Sequence, residues 1–490
     1  MAGIAEFTIV IDDGPTIRVD YKSADGKLEQ VVSRSLKLNP VHRRTIDFLI
    51  RLLREGRLVA QHEYEVLGEN LFATLFYDDD RAGLNEIGNK LTEAMRSAGQ
   101  TKPGDDNLLR ITLDFQESRA DLSSWPWEYL FSPERRGESE CNFFIAQKAR
   151  MALTRYLALS SVREANPAQP PLRVLLVAPS SEEMKVESSS VLEGLQELHK
   201  KGEIKLTCLP PIGTTGGQNG KVTFRDFTST LGLDPHVIHF VGHGKHEMQE
   251  GDRAVGKLAF TDETGAKAIW VSDHQLANAI ADYTQSVHLV FLQACESAET
   301  ITTSSYQAIA GVAQSVSQKS VPAVVAMHYR VLGATGNALA REFYGELAKR
   351  RSVLLALNHA RKEVFLEADD QEMWAAFGLP VLYLRGTGVI LPSEFDTELP
   401  STMGGNRPHV PSRRMECPWD RELVEVGSGK VKCPACQRLL ICPECHAPRT
   451  WKSNKCSNCE QRTYDDAERP VRTVASSYEE TETTDRRRLG

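Results

Sequence analysis

Short apolar runs alternate with helix-forming segments between residues 173 and 384, and this alternation restricts the fold more than any other feature. The runs are rich in Val, Ile, Leu and Phe and have the length of buried strands. Strands that alternate with helices build a mostly parallel sheet with helices on both faces. The sequence therefore predicts an α/β fold with a six-stranded sheet. The expected strands are residues 173–178, 204–209, 236–243, 288–295, 323–326 and 381–384.

Two of these runs end on residue types that serve nucleophilic catalysis. One run ends at His243, which Gly244 follows, and the other ends at Cys295. Because ligands of open parallel sheets bind beyond the carboxyl ends of the strands, two neighbouring strands would bring these side chains together there. The thiolate is a nucleophile, and a histidine can take and return its proton. The pair predicts a cysteine-peptidase site, with backbone N–H groups near Gly244 and Cys295 stabilising the oxyanion.

Structural alternatives exist for each of these residues. A cysteine at a strand end is commonly a core residue, although this alternative weakens when both signals occur in one sheet. The histidines also suggest a metal site, but a spacing of four residues suits a helix better than a strand; the four are His236, His239, His243 and His246. Four acidic residues would favour a basic P1 residue or else form a solvated rim; they are Asp262, Glu263, Glu296 and Glu299.

Seven of the ten cysteines lie between Cys417 and Cys459, a crowding that predicts metal ligands. Paired C-x-x-C pieces hold tetrahedral Zn²⁺. One complete set is Cys442, Cys445, Cys456 and Cys459. A second set is Cys417, Cys433 and Cys436 with Asp420 as the fourth ligand, for which His409 and His446 are rivals. We expect a double zinc ribbon with one or two structural zinc ions and no organic cofactor, because closed thiolate sites are not catalytic.

Composition divides the chain into five parts. Residues 386–416 are rich in Pro and Gly and predict a linker, while the tail is polar and predicted to be disordered. The expected parts are an N-terminal α+β region (1–160), a peptidase domain (165–388), a flexible linker (389–412), the double zinc ribbon (413–464) and the tail (465–490). Whether the first region folds alone or extends the peptidase sheet stays open.

Several motifs resemble those of one peptidase family. Phe240-Val-Gly-His243-Gly244 and Phe291-Leu-Gln-Ala-Cys295-Glu-Ser297 are similar to the two signatures of the CHAT family of caspase-like cysteine peptidases. Further similar segments are Trp125-Pro-Trp-Glu128, Val321-Pro-Ala-Val-Val-Ala-Met327 and Trp374-Ala-Ala-Phe377.

This resemblance implies a caspase-hemoglobinase-like sheet, His243 as the general base and Cys295 as the nucleophile. It also implies activation by a partner or ligand, and a role in bacterial immunity or regulated cell death, in some relatives through gasdermin cleavage. By the same analogy, self-cleavage is expected in or beside the linker, at Arg385, Arg407, Arg413 or Arg414.

Net charge and the distribution of apolar residues restrict the classes of partner that we expect. The net charge is −8, which provides no general attraction to nucleic acid, although the ribbon region from Arg413 to Arg462 carries ten Lys and Arg against six Asp and Glu. No signal peptide or membrane span is evident, so we expect a cytoplasmic protein. The expected partners are a protein substrate and a regulatory protein, with weak nucleic-acid binding by the ribbon still open. The competing hypothesis is a non-enzymatic adaptor that uses the caspase-like fold and the ribbon only to bind proteins.

Overall fold

The computed structural model describes residues 4–11, 16–35, 40–78, 83–99, 108–115, 120–133, 143–148, 150–157, 168–186, 188–211, 220–248, 254–294, 303–319, 321–327, 333–368, 373–392, 413–416 and 423–426. The chain divides into two compact units, Met1–Leu399 and Pro400–Gly490. Among the described residues, no helix combines the length and the apolar character that crossing a bilayer requires.

The first unit contains sixteen of the described strands and eleven of the described helices. The strands are β1 Ile4–Ile11, β2 Thr16–Lys22, β3 Leu28–Ser35, β4 Leu108–Phe115, β5 Phe131–Ser132, β6 Phe143–Phe144, β7 Met151–Leu157, β8 Leu172–Val177, β9 Ile204–Leu209, β10 Val237–Gly242, β11 Gly244–Met248, β12 Ala254–Thr261, β13 Ala268–Ser272, β14 Leu289–Ala294, β15 Ala323–Met327 and β16 Pro380–Leu384. The helices are α1 Pro40–Arg54, α2 Gln61–Phe76, α3 Glu86–Gly99, α4 Ala120–Ser123, α5 Ser189–Lys200, α6 Phe224–Leu231, α7 Asp273–Ala281, α8 Thr303–Gln318, α9 Gly333–Ala348, α10 Val353–Glu367 and α11 Met373–Ala376.

The central sheet confirms the mostly parallel α/β fold. Its described strands follow the order β3-β2-β1-β4-β7-β16-β15-β14-β10-β8-β9. All six strands expected between residues 173 and 384 belong to it, and the sheet reaches eleven strands because β1–β4 and β7 of the first region join beside β16. The first region therefore extends the central sheet. Of the ten strand pairs, seven are parallel.

Helices cover both faces of the sheet because its strands are apolar on both sides. Along β10, Val237 and Val241 belong to one buried core, and Ile238 and Phe240 belong to the other. The first core contains residues of α5, α9 and α10, and the second contains residues of α6, α7 and α8. Strand β16 is antiparallel to β15 because two long helices, α9 and α10, intervene and return the chain to the end where β15 finishes.

Local sequence signals explain many element boundaries. The hairpins β1–β2 and β12–β13 are both antiparallel. Ser272 caps α7, since its hydroxyl accepts a hydrogen bond from Gln275 N–H (3.2 Å). Thr223 caps α6 in the same way, with Asp226 completing a capping box.

The aromatic segment Trp125–Leu130 is a buried cluster around a 3₁₀ turn. It is attached to β7 by an ion pair between Arg155 and Glu128, each side chain of which is only 1% exposed. The Nε–Oε1 and Nη2–Oε2 distances are 3.1 and 2.5 Å, and Arg155 also donates to the Ser123 and Trp125 carbonyls. The guanidinium thus holds the segment both through its charge and through main-chain acceptors.

Helix α10 adds a second buried cation near this pair. Burial lowers the pKa of Arg361 to about 10, an effect that the Glu128 charge partly offsets. Arg361 donates to the Pro380 carbonyl at the start of β16 (2.5 Å). The Glu128 carboxylate therefore compensates two buried guanidinium groups at the junction between the first region and strands β15 and β16 of the central sheet.

In the second unit, the structure describes two strands, β17 Arg413–Glu416 and β18 Leu423–Val426. They form an antiparallel hairpin in which Glu416 pairs with Leu423. The residues that connect them, 417–422, include Cys417 and Asp420 and lie outside the described residues, as do all the other predicted zinc ligands.

Candidate active site

The two strands that carry the predicted catalytic residues are neighbours. Strands β10 and β14 pair in parallel, and their register runs from Val237 opposite Leu289 to Gly242 opposite Ala294. This adjacency confirms what the sequence predicts for the two apolar runs. The next residues in the sequence are His243 and Cys295, one after each strand; Cys295 lies outside the described residues.

The His243 ring is held by a main-chain carbonyl. Its Nε2 lies 2.9 Å from the Lys185 oxygen, in the segment between β8 and α5. Because a carbonyl oxygen can only accept, Nε2 must carry the hydrogen, and the neutral ring then keeps its lone pair on Nδ1. The sequence does not reveal this partner, since every residue carries the same carbonyl group.

The backbone around His243 is fixed by a small second sheet. Gly244 begins β11, which pairs with β12, and β12 pairs with β13. The His243 carbonyl accepts a hydrogen bond from Ala259 N–H at 2.9 Å. Gly244 is buried, and its role as an oxyanion donor stays a prediction.

Three buried polar side chains form a hydrogen-bonded series close to the carboxyl ends of these strands. The Tyr344 hydroxyl donates to His239 Nδ1 (3.1 Å), and His239 Nε2–H donates to Gln293 Oε1 (3.3 Å). Burial lowers the pKa of His239 to about 3, so this ring is neutral at pH 7. The signal in the sequence was the presence of two polar residues, His239 and Gln293, inside apolar strand runs, but their pairing was not predicted.

The structure does not support a histidine metal site among the described residues. There, no group of three or more His, Cys, Asp or Glu side chains is arranged to hold a metal ion. His236 Nδ1 instead accepts a hydrogen bond from Arg173 N–H (3.2 Å), while His239 and His243 have the partners given above.

Two of the four acidic residues considered for P1 selectivity serve the β12–β13 turn. The Asp262 carboxylate accepts from the Thr264 hydroxyl (2.8 Å) and from Ala266 N–H (3.1 Å), and the Thr264 hydrogen bond is the largest cause of its lowered pKa. The Glu263 carboxylate forms an ion pair with Lys221, with a distance of 3.5 Å between Oε2 and Nζ. The solvated-rim alternative therefore describes these two residues, while Glu296 and Glu299 lie outside the described residues.

A protein-family model described as "CHAT domain" matches residues 84–384, which is more than half of the chain. The chain belongs to the CHAT domain family. The matched range contains His243 and Cys295 and begins within the first region, before α3. No curated protein sequence matches this CHAT chain significantly.

Solved structures resemble the CHAT chain at low sequence identity. The Saccharomyces cerevisiae separase–securin complex matches with a TM-score of 0.40 and 11% identity, over 78% of this chain and 30% of that chain. The complex of the pro- and mature domains of Porphyromonas gingivalis RgpB matches with a TM-score of 0.36 and 10% identity, over 72% of this chain and 78% of that chain. The CHAT chain thus spans under a third of the length of the separase chain that it matches.

A cavity of about 660 Å³ lies at the other end of the same strands. It is lined by His236 and His288, the residues that immediately precede β10 and β14, and by Arg173. Burial, with a smaller contribution from the Arg173 charge, lowers the pKa of His236 to about 3 and that of His288 to about 4. The cavity is therefore separated from His243 by the length of β10.

Cys208 differs from a catalytic thiol. It lies on β9, and burial raises its pKa to about 11, so it is protonated at neutral pH.

The predicted self-cleavage residue Arg385 is not an accessible cleavage site. It is only 5% exposed, and its backbone N–H donates to the Pro322 carbonyl (2.8 Å) just after β16. This part of the self-cleavage prediction is wrong, since a protease needs an accessible and extended segment.

Proposed function

We propose that this CHAT protein is a cysteine endopeptidase in which Cys295 is the nucleophile and His243 is the general base. The observation that supports this proposal most is the parallel register of β10 and β14, because His243 and Cys295 are the next residues after its last aligned pair. Family membership and the fixed His243 ring add to it.

The proposed chemistry follows from the free nitrogen of the ring. His243 Nδ1 takes the proton of the Cys295 thiol, and the thiolate attacks the scissile carbonyl to form a C–S bond. The carbonyl electron pair moves to oxygen, where N–H groups near Gly244 stabilise the negative charge. The imidazolium then protonates the departing amine as the C–N bond breaks. A water molecule deprotonated by His243 hydrolyses the thioester and releases the thiol.

We infer that the second unit is a double zinc ribbon that recognises a regulatory protein or the substrate. The β17–β18 pairing supports this, because Cys417 and Asp420 both lie between the two strands in the sequence, where a zinc knuckle is expected. Metal analysis of the purified protein should find one or two zinc ions per chain. Chelation should release the zinc and expose the ribbon to proteolysis while the first unit stays intact, and a metal-free protein with a protected ribbon would contradict the proposal.

The cellular role is the least supported part of the proposal. A cytoplasmic enzyme of bacterial defence or regulated cell death, acting on a gasdermin or another protein, is suggested by the family resemblance alone. A reducing cytoplasm would keep the Cys295 thiol free for catalysis.

The decisive experiment is a cleavage assay on a broad peptide library, with products read by mass spectrometry. The full-length protein is compared with a version ending at Leu399, the end of the first unit, and with Cys295→Ala. Cys208→Ala is the matched control, because that thiol is protonated and lies on β9. Cleavage that persists in Cys208→Ala and disappears in Cys295→Ala would support the peptidase, and its cleavage sites would define P1.

The adaptor hypothesis predicts a different result. No form would cleave peptides, Cys295→Ala would still bind partner proteins, and zinc removal would abolish that binding. Activity in the shortened version alone would instead identify the second unit as an inhibitory element of a zymogen.

A further inference from the structure

The Lys185–Val186 peptide group is hydrogen-bonded at both of its ends. Its carbonyl oxygen accepts from His243 Nε2–H at 2.9 Å. The amide N–H of the same peptide group belongs to Val186 and donates to the Ser180 hydroxyl oxygen at 3.1 Å. Because a peptide group is planar, fixing the N–H direction also fixes the direction of the carbonyl.

We propose that Ser180 is a positioning residue that orients His243 through the Lys185–Val186 peptide group. This inference rests on the proposed peptidase function and deepens it. Ser180 does not touch the reacting atoms; it sets the direction of the carbonyl that selects the Nε2–H form of the ring. That form leaves Nδ1 free to act as the base.

Ser180 is well placed for this role because its own position is fixed. It follows β8 closely, and its N–H donates to the Gly220 carbonyl at 3.0 Å. Just before it, Ala178 N–H donates to the Leu209 carbonyl at the end of β9 (2.8 Å). A Cβ added to Gly220 would lie only 3.4 Å from the Ser180 Cβ, so the two chain segments are in close contact.

The neighbouring serine stabilises the turn through hydrogen bonds with a different residue. Ser181 is 2% exposed, and its hydroxyl accepts from Met184 N–H (3.0 Å) while its N–H donates to the Met184 carbonyl (3.0 Å). These reciprocal bonds close the turn before Lys185. The hydrogen bond to the Ser180 hydroxyl, in contrast, extends the series of hydrogen bonds that begins at the imidazole and passes through the peptide group. Aligned hydrogen bonds of this kind polarise one another.

The test measures the His243 tautomer in the full-length protein labelled with ¹⁵N-histidine. Two-bond ¹H–¹⁵N spectra show which ring nitrogen carries the proton, and His243→Gln assigns the signals. We expect the Nε2–H form in the parent, a mixture of both tautomers in Ser180→Ala, and the parent's form in Ser180→Thr, which retains an Oγ acceptor. The matched control is Ser286→Ala, whose hydroxyl donates to the Tyr283 carbonyl beside the distant cavity (3.1 Å).

Kinetics add a second readout. In Ser180→Ala we expect kcat to fall about 10-fold with KM changed less than about 2-fold, since an orienting bond is lost and no substrate contact is. Ser180→Thr should recover most of the loss. A parental tautomer and kcat in Ser180→Ala would overturn the inference, as would a Ser180→Thr variant as impaired as Ser180→Ala, which would indicate a general disturbance of the turn.

The two proposals fail in different ways. If the parent cleaves no peptide, the peptidase function is in doubt, but the tautomer comparison still decides whether Ser180 orients the ring. If the parent is active and the tautomer does not respond to Ser180→Ala, only the positioning role is refuted.

Discussion

The ion pair between Arg155 and Glu128 allows the sharpest stability prediction. Arg155→Met would remove both hydrogen bonds to the carboxylate and both to main-chain carbonyls. The methionine side chain has a similar length but no charge. Because both partners are 1% exposed, water cannot replace the guanidinium, and the Glu128 charge would be left in the interior without its hydrogen-bonded partner.

Removing one partner of a buried pair destabilises proteins by about 3–5 kcal/mol. We therefore expect Arg155→Met to lower the free energy of unfolding of the first unit by about 4 kcal/mol, which increases the unfolded fraction roughly 1000-fold. Urea unfolding followed by tryptophan fluorescence measures this, since Trp125 and Trp127 lie in the same segment. Glu128→Gln should also destabilise the unit, because it removes the carboxylate charge that both buried guanidinium groups interact with.

The matched control is Glu197→Gln, which breaks an ion pair with Lys201 of similar length (2.7 Å) but with both side chains more than half exposed. That pair should contribute no resolvable stability, because solvent screens it. The reasoning would be refuted if Arg155→Met unfolded within about 1 kcal/mol of the parent, or if Glu197→Gln were as destabilised as Arg155→Met.

Three further predictions use other parts of the structure. At pH 7.5, iodoacetamide should modify Cys295 and leave Cys208 unmodified, because the pKa of Cys208 is about 11; peptide mass spectrometry would contradict this if Cys208 reacted first. His288 is neutral when folded, with a pKa of about 4, but takes up a proton in the unfolded chain below about pH 6.5, so its contribution to stability is present above pH 6.5 and is lost as the pH falls toward 4. The free energy of unfolding from urea titrations should consequently fall less steeply between pH 7 and pH 5 in His288→Gln than in the parent, by up to about 1.4 kcal/mol per pH unit. An unchanged slope would exclude the effect. Gly378→Ala should destabilise the first unit by about 1–3 kcal/mol in thermal unfolding, because the new Cβ would lie 2.3 Å from the Tyr129 ring, and a parental midpoint would show that the ring moves freely.

The sequence predicted elements whose signals are local. The apolar run before His243 and the one before Cys295 are both strands, because the length and composition of each run are local properties. Prediction failed for partners that are distant in sequence. The Tyr344 hydroxyl and the His239 ring, which are 105 positions apart, were not predicted to meet. For Asp262 the sequence left open both substrate selectivity and a solvated rim, and the structure shows that its carboxylate closes a local turn with Thr264.

Local sequence patterns were therefore enough to predict the six strands between residues 173 and 384, the helices between them, and His243 and Cys295 after two of these strands. These features depend on side-chain periodicity within a few residues. The pairing of β7 with β16, the ion pair between Arg155 and Glu128 and the hydrogen bond from His243 to the Lys185 carbonyl became known from the fold alone. Such contacts join residues separated by tens or hundreds of positions, and main-chain groups are the same at every residue, so no local pattern specifies which of them will meet.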